Sequence, residues 1–364
     1  MKIFYALTAF LFLVLTSGCD QPQMVDKYAT PETKALFQNL RDQEKGKILF
    51  GHQDDLAYGI RWANEPFRSD VADVCGKYPA LFGWDLSKLE NDSPVNIDTV
   101  PFDRMQKWII RAFEKGGVNT ISWHMDNLVS GGDAWNTTTC VKSILPGGEK
   151  HEQFKTRLDK AAAFFLSLKD SQGRMVPVIF RPWHENDGSW FWWGVQHCTT
   201  EEYIALWRFT VSYLRDSSAV HNLLYAYSWG DFSDEASYRT RYPGDEWVDV
   251  LGVDIYGNID TEAAIRRLGV LVQMAVKTGK IAALTEAGEE GIKSPEWFTK
   301  HFLLPIKQDK DARGIAYFMV WRNGTDKHFY APYPGHASCG DFIEFEKDST
   351  TRFLEDLGDL YSTR

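Results

Sequence analysis

Residues 176–186 read VPVIFRPWHEN, a short run of apolar and β-branched residues that closes on Glu185. Valine, isoleucine and phenylalanine in so short a run favour a buried strand. A second run of this kind, residues 281–284, is followed at once by Thr285 and Glu286. Barrel enzymes place their catalytic groups at the carboxyl ends of buried parallel strands. The two stretches therefore predict two acidic side chains at the mouth of an α/β barrel.

The rest of the chain alternates between strand patterns and helix patterns. Eight short segments rich in β-favouring residues are predicted as strands: 47–52, 80–85, 119–124, 176–185, 223–229, 248–256, 281–286 and 314–321. Segments with apolar residues at helical spacing are predicted as helices: 102–115, 153–168, 203–214, 261–278 and 295–304. The last begins with a capping serine and a proline in its first turn.

This alternation predicts one (β/α)8 TIM barrel over residues 31–364, with long loops at the catalytic face. The competing α/β fold is a doubly wound sheet, which would more naturally carry a glycine-rich phosphate loop after its first strand. Residues 51–53, Gly-His-Gln, do not form such a loop. The barrel is therefore the favoured fold.

Composition excludes one broad class of partner. The chain of 364 residues has a net charge of −10 and no basic cluster long enough to follow a phosphate backbone, so nucleic-acid binding is not expected. Hydrophobic residues at 44% and charged residues at 25% are typical of a globular protein.

The amino terminus is predicted to be a targeting segment and not part of the fold. Lys2 precedes an apolar run over residues 4–15 that is too short for a comfortable bilayer span. Residues 15–19, Leu-Thr-Ser-Gly-Cys, resemble a bacterial lipobox. The resemblance implies a signal peptide over residues 1–18, lipidation of Cys19 and a polar tether over residues 19–30. An ordinary secretory signal with an incidental cysteine is the alternative.

The implied location is the cell envelope of a Gram-negative bacterium. Membrane contact is then expected only through the lipid anchor. A single acidic residue, Asp20, closely follows Cys19, so the periplasmic side is favoured over the cell surface.

Four cysteines remain outside the targeting segment: Cys75, Cys140, Cys198 and Cys339. Outside the cytoplasm they could form disulfides, and their wide spacing argues against a zinc cluster. A bridge between Cys140 and Cys198 is favoured because both are expected on loops at the catalytic face. Free thiols are the alternative.

The two glutamates suit the hydrolysis of a sugar chain with retention of configuration. That reaction needs one protonated and one ionised carboxyl, roughly 5–5.5 Å apart on either side of the anomeric carbon. Trp183 and Trp190 would raise the pKa of Glu185, so Glu185 is predicted as the acid/base. Glu286 is predicted as the nucleophile, with the Tyr256 hydroxyl as its hydrogen-bond partner. Both groups belong to the protein, so no cofactor is expected.

Four further residues are predicted to bind the sugar. His124 and His184 are interpreted as hydrogen-bonding partners of the sugar and of Glu286, in preference to metal ligands, because zinc spacing is absent. Trp321 is predicted to form the floor under the cleaved sugar, and Arg322 to donate to the next ring. The alternative is a core tryptophan and a surface arginine.

Tryptophan is abundant, with 14 in the chain, and three crowd the loop after Glu185: Trp190, Trp192 and Trp193. Flat aromatic surfaces suit the apolar faces of pyranose rings. All three cannot contact substrate, and Trp190 is the one predicted to do so.

These motifs resemble glycoside hydrolase family 26, whose best-known members are β-mannanases. The matching stretches run in order along the chain: 51–53 (GHQ), 122–127 (SWHMDN), 180–186 (FRPWHEN), 241–245 (RYPGD) through Gly257, 284–286 (LTE) and 321–322 (WR). The resemblance implies a (β/α)8 barrel that cleaves β-1,4-mannosidic linkages in mannan, glucomannan or galactomannan. It also implies the roles given above for the two glutamates, Tyr256, both histidines, Trp321 and Arg322.

Other functions stay open at this point. The same scaffold could act on mixed-linkage β-glucan or β-1,3-xylan, or the chain could be a glycan-binding lipoprotein without activity. The paired glutamates argue against the last. The loops at residues 127–150 and 328–340 are expected to set the cleft length, and hence internal or chain-end cutting. The protein is expected to act as a monomer.

Overall fold

The computed structural model describes residues 24–43 and 46–363. Its centre is a closed barrel of eight parallel strands, which pair in chain order until the last strand pairs with the first. The strands are β1 (Ile48–Gln53), β2 (Leu81–Asp85), β3 (Val118–Trp123), β4 (Val178–Pro182), β5 (Leu223–Trp229), β6 (Val250–Tyr256), β7 (Ile281–Gly288) and β8 (Tyr317–Val320). The closure pairs Leu49 with Tyr317. The predicted (β/α)8 barrel is confirmed.

Helices lie before the first barrel strand, in the connections between strands and after the last barrel strand. They are α1 (Pro31–Arg41), α2 (Asp70–Cys75), α3 (Phe102–Glu114), α4 (Val141–Ile144), α5 (His151–Ser167), α6 (Thr200–Ser212), α7 (Glu235–Tyr238), α8 (Glu262–Thr278), α9 (Leu304–Gln308) and α10 (Cys339–Lys347). A two-stranded hairpin, Tyr58–Gly59 with Trp62–Ala63, follows β1, and a short strand, Thr351–Arg352, pairs with the start of β1. None of the described helices is both long enough and apolar enough to cross a bilayer.

One predicted helix has a different geometry. Residues 295–304 were expected to be α-helical, but the chain forms a π-helix over Trp297–Leu303 before α9 begins. Pro305 has no N–H to donate to the carbonyl of His301, and that carbonyl accepts from the backbone N–H of Ile259 instead (3.0 Å). The wider turn also stacks the rings of Trp297 and Phe302, five residues apart.

Helix α1 closes the amino-terminal end of the barrel. Its buried residues Leu36, Phe37 and Leu40 form one apolar cluster with residues at the starts of the strands, among them Leu49 and Leu81. Thr30 caps the helix by accepting from the Thr33 N–H, and proline follows at the first position. Because side chains fill this end, the opposite end of the barrel is the one available for a ligand site.

The described part of the predicted tether is packed on the barrel. The backbone N–H of Val25 donates to Asp249 (2.9 Å), and Asp26 pairs with His221 (2.8 Å). The described residues therefore contact the barrel already at Met24 and Val25, before residue 30, where the sequence placed the boundary. The predicted signal peptide, Cys19 and residues 20–23 lie outside the described residues.

The predicted disulfide is not formed. Cys75, Cys140, Cys198 and Cys339 are all free thiols. Cys140 is buried against the backbone of Leu128 and Val129. Cys198 instead faces Arg241, whose guanidinium lies 2.8 Å from its sulfur. The preference for a bridge between Cys140 and Cys198 was wrong because the two sulfurs face different surroundings.

Candidate active site

Glu185 stands in a tight turn beyond the end of β4. The strand ends at Pro182, three residues earlier than the predicted boundary. Trp183 and Glu185 both adopt left-handed backbone conformations, with φ of 52° and 49°. Such angles are uncommon for residues with a Cβ and cost roughly 1–2 kcal/mol each. A strand pattern cannot foresee this turn, since its conformation is held by contacts with distant residues.

The surroundings of Glu185 favour its protonated form. The indole N–H of Trp190 donates to the Glu185 carboxyl at 2.8 Å, which by itself lowers the pKa of Glu185, but burial outweighs this bond. Burial raises the pKa of Glu185 well above its usual value, and the negative charges of Asp254 and Glu286 raise it further. A carboxyl that keeps its proton at neutral pH can act as a general acid.

Glu286 lies inside β7 at a β-bulge. Val253 on β6 pairs with Leu284, but the next residue, Asp254, pairs with Glu286, so Thr285 has no partner across the ladder. The Thr285 hydroxyl donates to Asp254 (2.6 Å). A bulge re-aims the side chains that follow it. The strand continues to Gly288, two residues past the predicted end, because pairing with β6 resumes after the bulge.

Glu286 has two donors suited to an ionised carboxylate. The Arg181 guanidinium donates to one oxygen, and the Tyr256 hydroxyl donates to the other at 2.5 Å. The Tyr256 bond is the contact expected from the sequence. The histidines were also expected to bond Glu286, but in the described structure its two oxygens are taken by Arg181 and Tyr256. Desolvation of the Tyr256 hydroxyl, then the charges of Glu286 and Glu185, raise the pKa of Tyr256 well above its usual value.

Arg181 connects the nucleophile candidate to a second buried carboxylate. The same guanidinium donates to Asp254 (3.0 Å) and to the Ser228 hydroxyl (3.1 Å). Burial raises the pKa of Asp254 to about 7, against the opposing charge of Arg181, and Glu286 adds to the rise. The acidic groups on β6 and β7 therefore share one cation.

The two predicted histidines lie in contact at the mouth, with ring centroids 4.6 Å apart. His124 directly follows β3, and its Nδ1 lies 2.7 Å from Asp85 at the end of β2. Burial opposes protonation of His124, but Asp85 outweighs it and raises the pKa. His184 is buried, and burial followed by the charge of Arg181 lowers its pKa well below the usual value. One imidazole thus favours the charged form and the other the neutral form.

Aromatic side chains surround this pair. The Trp321 ring centroid lies 6.3 Å from that of His124, and Trp135, from the loop after β3, stacks on His124 at 5.1 Å with 10° between the planes. Trp190 and Trp135 remain 45% and 46% exposed. The other two tryptophans of the Trp190 loop are fully buried and pack the core: Trp192 and Trp193. Trp190 is therefore the exposed tryptophan of this loop, and its contact with substrate stays a prediction.

Arg322 lies two residues beyond β8 and borders a separate depression of about 240 Å³. Its guanidinium pairs with Asp98 (2.9 Å) and contacts the Tyr58 hydroxyl (3.4 Å). Tyr58, Trp62 and Pro101 also line the depression. A half-buried, doubly held guanidinium at the rim of an open pocket can offer its remaining N–H groups to a polar ligand.

Several site residues received no role from the sequence. Arg181 and Asp254 belong to the quoted motifs, but their ion pair joins strands 73 residues apart. Asp85 ends a predicted strand, yet its bond to His124 spans 39 residues. Trp135 lies in a long loop whose path the sequence does not predict. The available signal was a polar residue at a strand end, which Arg181, Asp254 and Asp85 all satisfy.

The geometry defines a class of protein. A (β/α)8 barrel with one glutamate after β4 and one on β7, lined by histidines and tryptophans, has the architecture of barrel glycoside hydrolases. Comparison with known proteins identifies the family. Residues 25–339 match the model of glycosyl hydrolase family 26, and the chain belongs to that family.

Three relatives show how far the similarity extends. The chain is 37% identical over 345 residues to a mannan endo-1,4-β-mannosidase of Bifidobacterium adolescentis, covering 88% of this chain but 34% of that protein. The structure of a GH26 β-mannanase from Bacteroides ovatus is 42% identical with a TM-score of 0.87, covering 92% of this chain and 98% of that one. A modular endo-β-1,4-mannanase from Cellulomonas fimi is 35% identical with a TM-score of 0.87, covering 94% and 80%. The chain thus spans about a third of the length of the Bifidobacterium relative.

Proposed function

We propose that this protein is a retaining glycoside hydrolase that cleaves β-1,4-mannosidic linkages in mannan, glucomannan or galactomannan. The observation that carries the proposal is the unlike setting of the two carboxyls. Burial raises the pKa of Glu185 well above its usual value, while Glu286 accepts from Arg181 and Tyr256. The relatives named mannan endo-1,4-β-mannosidase support mannan as the substrate.

The unlike surroundings of the two carboxyls suit a double displacement. In the first step the Glu185 proton passes to the glycosidic oxygen, whose bond to the anomeric carbon breaks while Glu286 forms an ester to that carbon. In the second step Glu185, now ionised, takes a proton from water as the water oxygen attacks the anomeric carbon. The ester bond breaks, and Glu286 returns as a carboxylate. Arg181 and Tyr256 stabilise the ionised form of Glu286 before and after the cycle.

The residues around the two glutamates can be assigned to sugar subsites. We assign His124, His184 and Trp321 to the subsite of the cleaved sugar, because His124 and His184 are in contact and Trp321 packs beside them. Trp190 lies beside the departing oxygen through its bond to Glu185. Arg322 is assigned to the neighbouring subsite. We propose that the protein acts as a monomer.

Substrate choice is tested by measuring reducing sugars released from mannan, lichenan and β-1,3-xylan. Activity on mannan is expected to exceed activity on the other two. The same barrel and the same glutamates could act on the alternative substrates, since mannose and glucose differ only in the orientation of one hydroxyl. Activity confined to lichenan or to the xylan would refute the mannan assignment.

The catalytic roles are tested by Glu185→Gln and Glu286→Gln. Loss of general acid catalysis is expected to lower kcat/KM on mannan by about 10²–10⁴-fold for Glu185→Gln. Glu286→Gln is expected to abolish turnover while mannan oligosaccharides still bind in calorimetry. If both variants keep wild-type turnover, the assignment of both glutamates fails. If the wild type binds mannan without any turnover, the protein is a glycan-binding lipoprotein.

We also propose that the protein is an envelope lipoprotein anchored through Cys19, on the periplasmic side. The support is the lipobox-like sequence at residues 15–19. Metabolic labelling with a palmitate analogue is expected to mark the wild type and not Cys19→Ser. Protease treatment of intact cells is expected to spare the protein. Equal labelling of both chains would refute the anchor, and degradation in intact cells would refute the periplasmic location.

A further inference from the structure

Arg241 is a buried guanidinium, 1% exposed. Among the described residues it contacts backbone carbonyls and a sulfur, and it forms no ion pair with a carboxylate there. Its Nε finds no acceptor there either. Burying a lone cation is unfavourable unless its N–H groups are satisfied in another way. The contacts of Arg241 therefore indicate the role of its buried positive charge.

Those contacts span the loop that follows Glu185. One terminal nitrogen donates to the carbonyl of Asn186 at 2.7 Å, directly after Glu185. The other lies 3.4 Å from the carbonyl of Trp193 and 2.8 Å from the sulfur of Cys198. Trp190, which donates to the Glu185 carboxyl, lies between the two held carbonyls. The Arg241 side chain thus joins the two ends of residues 186–193, the segment that carries Trp190, the hydrogen-bond donor to Glu185.

The other flank of Glu185 is held by the residue on which Arg241 stacks. The guanidinium lies 4.5 Å from the centre of the Tyr203 ring, and the Tyr203 hydroxyl donates to the carbonyl of Trp183 at 2.8 Å. Trp183 and Glu185 both have left-handed backbone conformations. Carbonyls on both sides of Glu185 are therefore fixed through one stacked pair, and unfavourable angles persist only where surrounding contacts enforce them.

We propose that Arg241 is a positioning residue for Glu185, acting by holding the carbonyls of Asn186 and Trp193 so that the carboxyl faces the departing oxygen. The inference rests on the proposed function, because it assigns Glu185 the role of acid. Its consequence is specific: loss of Arg241 impairs proton donation more than sugar binding. kcat should fall while KM changes little.

The test compares two substrates with the whole protein. Arg241→Met removes every donor at similar length, and Arg241→Lys keeps the charge but can reach only one of the two carbonyls. kcat/KM is measured on mannan oligosaccharides, which need a proton on the leaving oxygen, and on dinitrophenyl β-mannobioside, which does not. On the oligosaccharides Arg241→Met is expected to lose about 100-fold and Arg241→Lys about 10-fold. Losses on the dinitrophenyl substrate are expected to be about tenfold smaller.

Two controls separate the possible outcomes. Arg208→Met removes a guanidinium that holds the carbonyl of Pro243, two residues after Arg241, without touching the Glu185 loop, and is expected to keep wild-type kinetics on both substrates. Glu185→Gln must itself discriminate between the two substrates. If it does not, the proposed function fails, and not only the positioning role.

Equal losses of the Arg241 variants on both substrates would overturn the proposal, since they would indicate general damage to the fold. Unchanged activity on the oligosaccharides would overturn it as well. If Arg241→Met does not fold, Arg241→Lys carries the same comparison. The pH dependence gives a second measurement. A loosened loop admits water to Glu185, so the fall of kcat/KM at high pH is expected to move to lower pH in Arg241→Lys.

Discussion

Glu185 and Glu286 lie at the same mouth of the barrel but have different hydrogen-bond donors. Glu185 accepts one hydrogen bond from a neutral indole, whereas Glu286 accepts from a guanidinium and a phenol. Burial, and then the charges of Asp254 and Glu286, disfavour ionisation of Glu185 and outweigh the opposing effects of Arg181 and of the Trp190 bond on its pKa. Paired carboxyls in unlike environments divide the roles of acid and nucleophile. The assignment of those roles therefore depends on the partners of each carboxyl and not on residue type.

The bond from Tyr256 to Glu286 can be tested by Tyr256→Phe. Removing a donor to a charged acceptor costs about 1.5–3 kcal/mol, so kcat/KM on mannan is expected to fall about 10–100-fold. Steady-state kinetics measures the loss. Tyr330→Phe is the matched control, because the Tyr330 ring packs against Tyr256 (5.6 Å) and no bond from it to Glu286 is found in the described structure. The role of Tyr256 fails if both variants retain wild-type kinetics.

The pH profile of Asp254→Asn tests the electrostatic coupling. In its proposed role as the acid, Glu185 must hold its proton, so kcat/KM is expected to fall as pH rises through its raised pKa. Asp254, with a pKa of about 7, is ionised above that pH and then raises the pKa of Glu185. Removing its charge is expected to shift the high-pH limb of kcat/KM to lower pH. Asp249→Asn, a buried aspartate before the start of β6, is the control and should leave the limb in place. A limb unmoved in Asp254→Asn would contradict the coupling.

Among the elements, β7 and its bulge decide where Glu286 sits. The extra residue at Thr285 shifts the pairing with β6, so that Asp254 and Glu286 become neighbours in the ladder. Arg181 on β4 can then reach both carboxylates. Bulges next to active sites commonly re-aim side chains in this way.

Helix α6 carries Tyr203, which donates to the Trp183 carbonyl beside the Glu185 turn. The cap at the start of this helix can be tested by substitution. Thr199 accepts from the Glu202 N–H, and the Glu202 side chain accepts from the Thr199 N–H, which forms a capping box. Thr199→Ala is expected to lower the free energy of unfolding by about 1 kcal/mol, measured by urea denaturation. Ser217→Ala, an exposed serine of the π-helix that extends α6, is the control and should stay within about 0.5 kcal/mol. Equal effects of the two changes would refute the capping role.

At the scale of the whole molecule, the two ends of the barrel have different functions. The amino-terminal end is filled by α1 and an apolar cluster, whereas the opposite end carries the charged and aromatic residues of the site. In TIM barrels the first end serves stability and the second serves chemistry. Substitutions at the two ends of the barrel should therefore have separable effects on stability and on activity.

Leu36→Ala tests that separation. Leu36 is fully buried in the α1 cluster, so the variant is expected to lose about 2–5 kcal/mol of stability. At temperatures where it stays folded, its kcat on mannan should match that of the wild type. Thermal denaturation and kinetics on the same sample give both values. Leu166→Ala, on the half-exposed face of α5, is the control with a small effect. A large loss of kcat in folded Leu36→Ala would contradict the separation.

The sequence by itself determined the (β/α)8 barrel and pointed to Glu185 and Glu286 at its mouth, because strand periodicity and residues near strand ends are local properties. It also pointed to Tyr256 as the partner of Glu286, since neighbouring parallel strands bring their carboxyl ends together. The tertiary structure alone decided the left-handed turn at Glu185, the bulge at Thr285 and the packing of Val25 on the barrel. It also decided that Cys198 faces Arg241 and not a second thiol. These features depend on contacts between residues far apart in the chain, such as Arg181 and Glu286 at a separation of 105 residues, and no local pattern specifies such contacts.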